Sequence, residues 1–416
     1  MNVLSLFDGM SCGRQALERA GIKVDNYFAS EIDKYAIQVT MANYPNTKQL
    51  GSVVNVDGYS LPKIDLLIGG SPCQSFSFAG KRKGMSTKDE QEILTLEHYL
   101  QLKSEGYEFE GQSYLFWEYM RLLNEVKPKY FLLENVMMGE KWEKVLSKAI
   151  GVTQIMINSS LLSAQNRKRL YWTNIGMQPA GLFGDMESII KQPKDKGILL
   201  KDILEEEVND KYFLSEKMVN GFLAHNKRHI EEKNQTGFNW KPSDGNKKAN
   251  CLRANAALCP TDNTIITNNK RLNETIGLHK DDLEEGTLID SYNKTIHKDK
   301  SITIRTTINS SNMTHIVHNL QKRDPNRPSI QKNKNAGGSG PLSRTDGKTY
   351  CLDGGQSNAV EYGSRIRRLT PIECERLQTV KDNYTNHVSD SQRYKMLGNG
   401  WTVDVIAHIL SYAEWS

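Results

Sequence analysis

Along the first 135 residues, short apolar runs alternate with stretches whose apolar positions recur every three or four residues. That alternation is the mark of βαβ units around a parallel sheet. Strands are expected over residues 3–7, 27–30, 64–68 and 130–133, with a further one near 154–158. Helices are expected over 13–20, 34–43 and 113–126, the last turning Leu115, Phe116, Tyr119, Leu122 and Leu123 toward a core. The run Ile64-Asp65-Leu66-Leu67-Ile68 is almost continuously apolar, as a strand covered on both faces of a doubly wound sheet must be. A long polar stretch, 76–112, then interrupts the pattern, and stretches of that length inside a compact domain are usually lids or binding loops. It carries Lys81, Arg82 and Lys83, and a short helix is expected around 90–102.

After about residue 200 the periodicity fades. Residues 226–350 are rich in Asn, Lys, Thr, Ser and Gly, and three segments in or beside them look loosely alike: Lys248–Arg253, Lys300–Arg305 and Lys348–Leu352. Each precedes a turn-rich stretch and reads as part of a short β-hairpin. Helical patterning returns over 371–379 and 402–412. Two compact ends around a polar middle predict one domain interrupted by an insertion, and 416 residues are enough for one large domain and one smaller one. Charge sharpens this division. The whole chain carries only +5, but residues 226–350 hold 21 Lys/Arg against 13 Asp/Glu, a surplus of 8 that leaves the remainder at −3. A basic middle suits contact with phosphates, although a solvated polar insertion would look the same.

Hydrophobic content of 38% and charged content of 25% are those of an ordinary globular protein. No apolar run reaches the roughly 18 residues of a membrane span, and the start lacks the basic and apolar regions of a signal peptide. A cytoplasmic, nucleoid-associated protein is expected, with no membrane partner. The six cysteines, at 12, 73, 251, 259, 351 and 374, form no CxxC pair and no Cys/His cluster with zinc spacing, so neither a metal nor a disulfide framework is expected.

Candidate chemistry gathers at strand ends. Phe7-Asp8-Gly9 follows the first strand, where a glycine-bearing turn lets backbone approach a ligand at the carboxyl edge of the sheet. The second strand ends at Glu31-Ile32, a position suited to ribose hydroxyls or simply to a solvated helix-start carboxylate. The strand over 64–68 runs into Gly69-Gly70-Ser71-Pro72-Cys73, which puts a thiol at the same edge. A buried inert cysteine is the ordinary alternative, and a nucleophilic one needs activation because its free pKa is about 8.5. The next strand ends Leu133-Glu134-Asn135, where a carboxylic acid is costly without a partner or a task. In Gln165-Asn166-Arg167-Lys168-Arg169 the arginines are two apart, on one face of an extended segment, suited to phosphates or a base carbonyl.

In this order the segments resemble the DNA cytosine-C5 methyltransferases: Phe7-Asp8-Gly9, Glu31, Pro72-Cys73-Gln74, Glu134-Asn135-Val136 and Gln165-x-Arg167-x-Arg169. The series ends with Arg368-Leu369-Thr370-Pro371-Ile372-Glu373-Cys374-Glu375-Arg376-Leu377-Gln378 and Gly398-Asn399-Gly400-Trp401-Thr402-Val403. The first half also has some likeness to the animal de novo DNA methyltransferases, whereas Gln74 and the long insertion look bacterial or phage. The resemblance implies a Rossmann-like α/β S-adenosylmethionine-dependent methyltransferase domain, residues 1–215 and 364–416. A smaller, irregular β-rich target-recognition domain, 216–363, would be inserted before the C-terminal segment.

It further implies Cys73 as nucleophile toward C6 of a flipped-out cytosine, Glu134 at N3 and the exocyclic amine, and Arg167 and Arg169 at the flipped nucleotide. S-adenosylmethionine would be held by Phe7, Asp8, Gly9, Glu31, Ile32, Ser52, Val53, Pro72, Asn399 and Val403. Gln74, Ser75, Lys81, Arg82 and Gln165 would contact double-stranded DNA. The family usually offers an acidic residue to the adenine amine after the turn at Gly51; this chain has Ser52 there, leaving Asp57 or a backbone carbonyl as substitutes. A monomer is expected, with a cognate restriction endonuclease as a possible genetic partner. The competing readings are an RNA cytosine-C5 methyltransferase, disfavoured because no Cys-Phe-Thr occurs and the insertion is large, and a catalytically silent DNA-binding protein on the same fold.

Overall fold

The first seven strands are β1 (Asn2–Leu6), β2 (Asn26–Ser30), β3 (Lys48–Gln49), β4 (Leu66–Gly69), β5 (Tyr130–Val136), β6 (Ile155–Asn158) and β7 (Lys168–Thr173). They form a single sheet in the order β3-β2-β1-β4-β5-β7-β6. The structure is a computed structural model. It describes residues 1–72, 85–88, 91–109, 111–180, 185–231, 240–254, 257–267, 288–290, 295–297, 314–319, 358–360 and 365–415.

β1 to β5 pair in parallel, as the apolar runs predict. β7 breaks the pattern by inserting antiparallel between β5 and β6. Its first residues show in the sequence only as an extended segment, because basic residues at its start mask the apolar run Leu170-Tyr171-Trp172.

Helices α1 (Cys12–Arg19), α2 (Lys34–Asn43), α3 (Leu96–Ser104), α4 (Phe116–Val126) and α5 (Glu140–Ile150) lie between the strands. α2 and α3 begin where a side chain satisfies a free N–H donor of the first turn. Asp33 accepts the Tyr35 N–H at 2.9 Å to start α2. Thr95 accepts the His98 N–H at 3.2 Å, so α3 starts later than the helix expected over 90–102. Phe116, Tyr119 and Leu122 of α4 are fully buried as expected, joined by Trp117, while Leu115 and Leu123 are half-buried at the rim of the core. That core also takes in Leu4, Leu6, Leu67, Leu133 and Trp172 from the sheet. Burial of such side chains contributes about 1.5–3 kcal/mol each.

Near the C-terminus, helix Pro371–Leu377 opens with a capping box. Thr370 Oγ1 accepts the Glu373 N–H at 3.2 Å, and Glu373 accepts the Thr370 N–H at 2.8 Å. Helices Asp390–Asn399 and Val403–Leu410 follow.

The chain divides into two compact units. The first comprises Met1–Glu206, Gly245–Asn263 and Leu369–Ser416, and the second Glu207–Asp244 and Thr264–Arg368. Residues 245–263, from the middle of the polar region, thus belong with the sheet. The Lys248–Arg253 segment forms no hairpin of its own. Ala249 pairs in parallel with Gln165, its N–H donating to the Ala164 carbonyl at 2.7 Å and its carbonyl accepting the Asn166 N–H at 2.9 Å. The neighbouring strand end satisfies the backbone that a hairpin would have used. The look-alike segments at 300–305 and 348–352 lie outside the described residues.

The second unit carries helix Glu216–Glu231 and an antiparallel pair, Thr264–Thr267 with Arg365–Arg368. It also carries a four-stranded antiparallel sheet ordered Thr295–His297, Leu288–Asp290, Thr314–Asn319 and Asn358–Val360. Trp240 anchors it: Asn226 bonds both its backbone groups, and its indole N–H reaches Thr264 Oγ1 at 3.0 Å.

Candidate active site

At the end of β1 the chain makes a turn in which Phe7, Gly9 and Ser11 all have positive φ, at 56°, 57° and 59°. For Phe and Ser that conformation is strained and persists only where surroundings impose it. Asp8 supplies the restraint. Its buried carboxylate accepts hydrogen bonds from Ser5 Oγ at 2.6 Å, from the Tyr27 hydroxyl at 2.8 Å, and from Ser11 Oγ. Burial is the main reason its pKa is pushed up to about 6, with Glu31 adding to the rise and the three hydroxyls opposing it. Asp8 therefore faces the protein and shapes the turn.

Glu31 is beside that turn. One carboxylate oxygen accepts the Gly9 N–H at 2.8 Å, and the other accepts the N–H groups of Ile32 and Asp33 at 2.7 and 2.8 Å. Ile32 then projects with 70% of its surface exposed. Ser52 is half-buried, and Val53 is buried with its carbonyl held by Arg121 at 3.1 Å. Asp57 is exposed and caps a local turn through the Tyr59 N–H at 3.0 Å.

After β4 the chain passes Gly70, where a side chain would bring its first carbon to 2.9 Å from the Trp401 indole nitrogen and 3.2 Å from Glu134 Oε2. Only a glycine lets these three meet. The buried Asn135 donates to Ser71 Oγ at 3.0 Å, tying β5 to the turn two residues before Cys73. Pro72 is half-buried. Cys73, Gln74, Ser75, Lys81 and Arg82 lie outside the described residues.

The antiparallel pairing of β5 with β7 brings Glu134 and Arg169 together, with Arg169 Nε at 3.0 Å from Glu134 Oε1. Arg167, 3% exposed, points elsewhere. Its guanidinium donates to the carbonyls of Gly398 and Gly400 at 3.2 and 2.9 Å and lies 3.4 Å from Cys251 Sγ. Cys251 Sγ is also 3.9 Å from Arg169 Nη2. Gln165, expected among the DNA contacts, is fully buried instead. Its amide is engaged by Leu252, Leu377 and Gln378, so it presents nothing to a ligand in this structure. Asn399, exposed, ends helix Asp390–Asn399, and Val403, fully buried, begins the last helix, on either side of the turn that Arg167 grips.

Cys12, the first residue of α1, is buried. Burial pushes its pKa up to about 12, which keeps it protonated and inert. Asn135, Cys251, Trp401 and Gln378 also belong to this site and are not singled out by the sequence. Asn135, Trp401 and Gln378 sit inside family-like motifs, but Cys251 comes from a segment with no motif, and only the pairing of Ala249 with Gln165 delivers it.

The family model for C-5 cytosine-specific DNA methylases matches residues 1–414. This chain belongs to that family. It is a DNA (cytosine-5)-methyltransferase, and the family uses S-adenosylmethionine. The orphan methyltransferase M.SPRI of Bacillus phage SPR is 28% identical over 98% of this chain and 96% of its own length. The type II methyltransferase M.HgiCI of Herpetosiphon aurantiacus is 26% identical over 97% and 94%. Among solved structures, a Spodoptera frugiperda DNMT2 mutant superposes with a TM-score of 0.53 at 17% identity, covering 99% of this chain and 98% of that one. The S. pombe Dnmt2 methyltransferase gives 0.52 at 13%, covering 99% and 97%. At those identities the likeness concerns the fold.

Among the described residues, no helix is long and apolar enough to cross a membrane. No group of three His, Cys, Asp or Glu among them could hold a metal ion.

Proposed function

We propose that this DNA (cytosine-5)-methyltransferase is sequence-specific and works through a covalent bond between Cys73 Sγ and C6 of a flipped-out cytosine. The observation that carries the reading is the Glu134–Arg169 pair, 3.0 Å apart at the mouth of the Ser71-Pro72 turn. Arg169 orients one oxygen of the carboxyl group and Gly70 leaves room beside the other. That carboxyl group would hold N3 and the exocyclic amine of the base and give N3 a proton as Sγ adds to C6. Addition pushes the C5–C6 electron pair toward C5, which becomes nucleophilic. S-adenosylmethionine, when bound, supplies an electrophilic methyl group on a sulfonium. Loss of the C5 proton to a base, return of the N3 proton and expulsion of the Cys73 thiolate then restore the aromatic ring.

The chain's residues fit that cofactor. Glu31 has the acidic group a ribose diol takes, Ile32 offers an exposed apolar surface for a purine face, and Gly9 leaves open space within 4 Å. Phe7, Ser52, Val53, Pro72, Asn399 and Val403 complete the proposed pocket, with Asp8 acting from behind the turn. Lys81, Arg82, Gln74 and Ser75 would meet DNA. The second unit, with the basic surplus of the middle region, would read the target sequence through the major groove. Double-stranded DNA is thus the proposed substrate of a monomeric enzyme.

A duplex carrying 5-fluorocytosine at the target position tests the mechanism, because fluorine cannot leave as the C5 proton does. Wild type with S-adenosylmethionine should form an adduct that survives denaturing electrophoresis, and Cys73→Ser should form none. An equal yield from the variant would remove Cys73 from its role.

A further inference from the structure

The end of helix Asp390–Asn399 and the turn that leads to the last helix, together Leu397–Thr402, are held by side chains from elsewhere in the chain. Gln378 Nε2 donates to the Leu397 carbonyl at 2.7 Å and the Gly400 carbonyl at 3.2 Å. Its Oε1 accepts Thr402 Oγ1 at 2.9 Å, and its backbone carbonyl accepts the Val403 N–H at 2.9 Å. Gln165 Nε2 donates to the same Oε1 at 3.2 Å and to the Leu377 carbonyl at 3.2 Å, while its own Oε1 accepts the Leu252 N–H at 2.8 Å. Both glutamines are fully buried. Arg167 closes the set on the carbonyls of Gly398 and Gly400.

We propose that Gln165 and Gln378 form a buried amide pair that sets the Leu397–Thr402 turn and so acts as a positioning device for the cofactor pocket. The turn carries Asn399 on its exposed side and aims Trp401 at Gly70, beside Glu134. Every polar atom of the pair has a partner, so neither amide can flip without breaking several bonds at once. The pair also joins three stretches far apart in sequence: the strap around Leu252, the end of helix Pro371–Leu377, and the turn itself. The inference rests on the proposed function only in taking Asn399 and Val403 as pocket residues.

The test uses Gln378→Met and Gln165→Met, which keep volume and remove the hydrogen bonds. Three quantities are read: affinity for S-adenosylhomocysteine by calorimetry, affinity for duplex DNA without cofactor, and hydrogen exchange at the Gly400 and Val403 amides. Loss of a buried hydrogen-bond network should weaken S-adenosylhomocysteine binding by about ten-fold or more. Exchange at both amides should accelerate, and DNA affinity should stay within about two-fold. Folded variants that keep both S-adenosylhomocysteine affinity and slow exchange overturn the proposal. A Gln165→Met loss confined to DNA affinity also overturns it and returns Gln165 to the DNA surface. If Gln378→Met does not fold, Thr402→Val removes one bond of the same network and is read in the same way. Wild type that fails to bind S-adenosylhomocysteine would count against the functional reading, while amide exchange still decides the positioning role.

Discussion

Asp8 sits in a motif that suggests ligand contact, yet its carboxylate turns inward to three hydroxyls, and the sequence could not show this because Ser5, Ser11 and Tyr27 come from three different elements. Its folded-state pKa of about 6 stands above the ordinary 3.8, so the native protein holds this proton more tightly than the unfolded chain does. That contribution to stability is complete below about pH 4 and is lost as pH rises through about 6. At neutral pH the enzyme therefore carries an ionised, buried carboxylate at a cost on the order of 3 kcal/mol relative to acid conditions. Asp8→Asn abolishes the titration. Whatever fixed offset the amide introduces, the stability of the variant relative to wild type should rise between pH 4 and pH 7, measured by urea unfolding at each pH. A difference that stays flat over that window would show that Asp8 does not titrate there. The same variant should bind S-adenosylhomocysteine more weakly, since the strained turn at Phe7–Ser11 loses its charged anchor.

At the scale of elements, the parallel half of the sheet was legible because β1, β2, β4 and β5 are short buried runs with turn residues between them. Glu31 and Glu134 were legible for the same reason, each standing where such a run stops. β7 was hidden behind the basic residues at its start, and with it went the pairing that joins Arg169 to Glu134. The two arginines, equivalent by spacing, part company in the fold: one meets a carboxylate, the other a pair of carbonyls. The Lys248–Arg253 strap has the local pattern of a hairpin, because nothing local says that the partner of Ala249 is Gln165, 84 residues upstream. It passes close to Gly398, where an added Cβ would stand 2.3 Å from the Arg253 carbonyl carbon and 2.4 Å from the Ala254 nitrogen. Both are backbone atoms and cannot swing aside. Gly398→Ala should therefore destabilise the protein by about 1–3 kcal/mol, the usual range for overpacking a tight site. It should also displace the carbonyl that Arg167 holds. Urea unfolding checks the first effect, and a change below about 0.5 kcal/mol, the level of an ordinary surface substitution, would mean the two segments separate freely.

On the scale of the whole molecule, charge is divided as the architecture is. Residues 226–350 carry a surplus of 8 positive charges and the rest of the chain a deficit of 3. Most of that surplus falls in the second unit, which is also the part where sequence periodicity gave least guidance. If that unit meets the phosphate backbone, neutralising Z phosphates releases counterions, and log K should fall against log salt with a slope of about −0.9Z. Replacing two of its lysines, Lys332→Gln and Lys334→Gln, should then make the slope shallower by up to about 2 if both meet phosphates. Methyl transfer at saturating DNA should persist, because neither residue belongs to the Cys73–Glu134 machinery. The loss of affinity should be the same for a duplex carrying the methylated sequence and for an unrelated one, since phosphate contacts position the protein without reading bases. Fluorescence anisotropy over a salt series, on both duplexes, separates the outcomes. An unchanged slope would place the phosphate contacts elsewhere in the chain, and a loss restricted to the target duplex would make these lysines base readers.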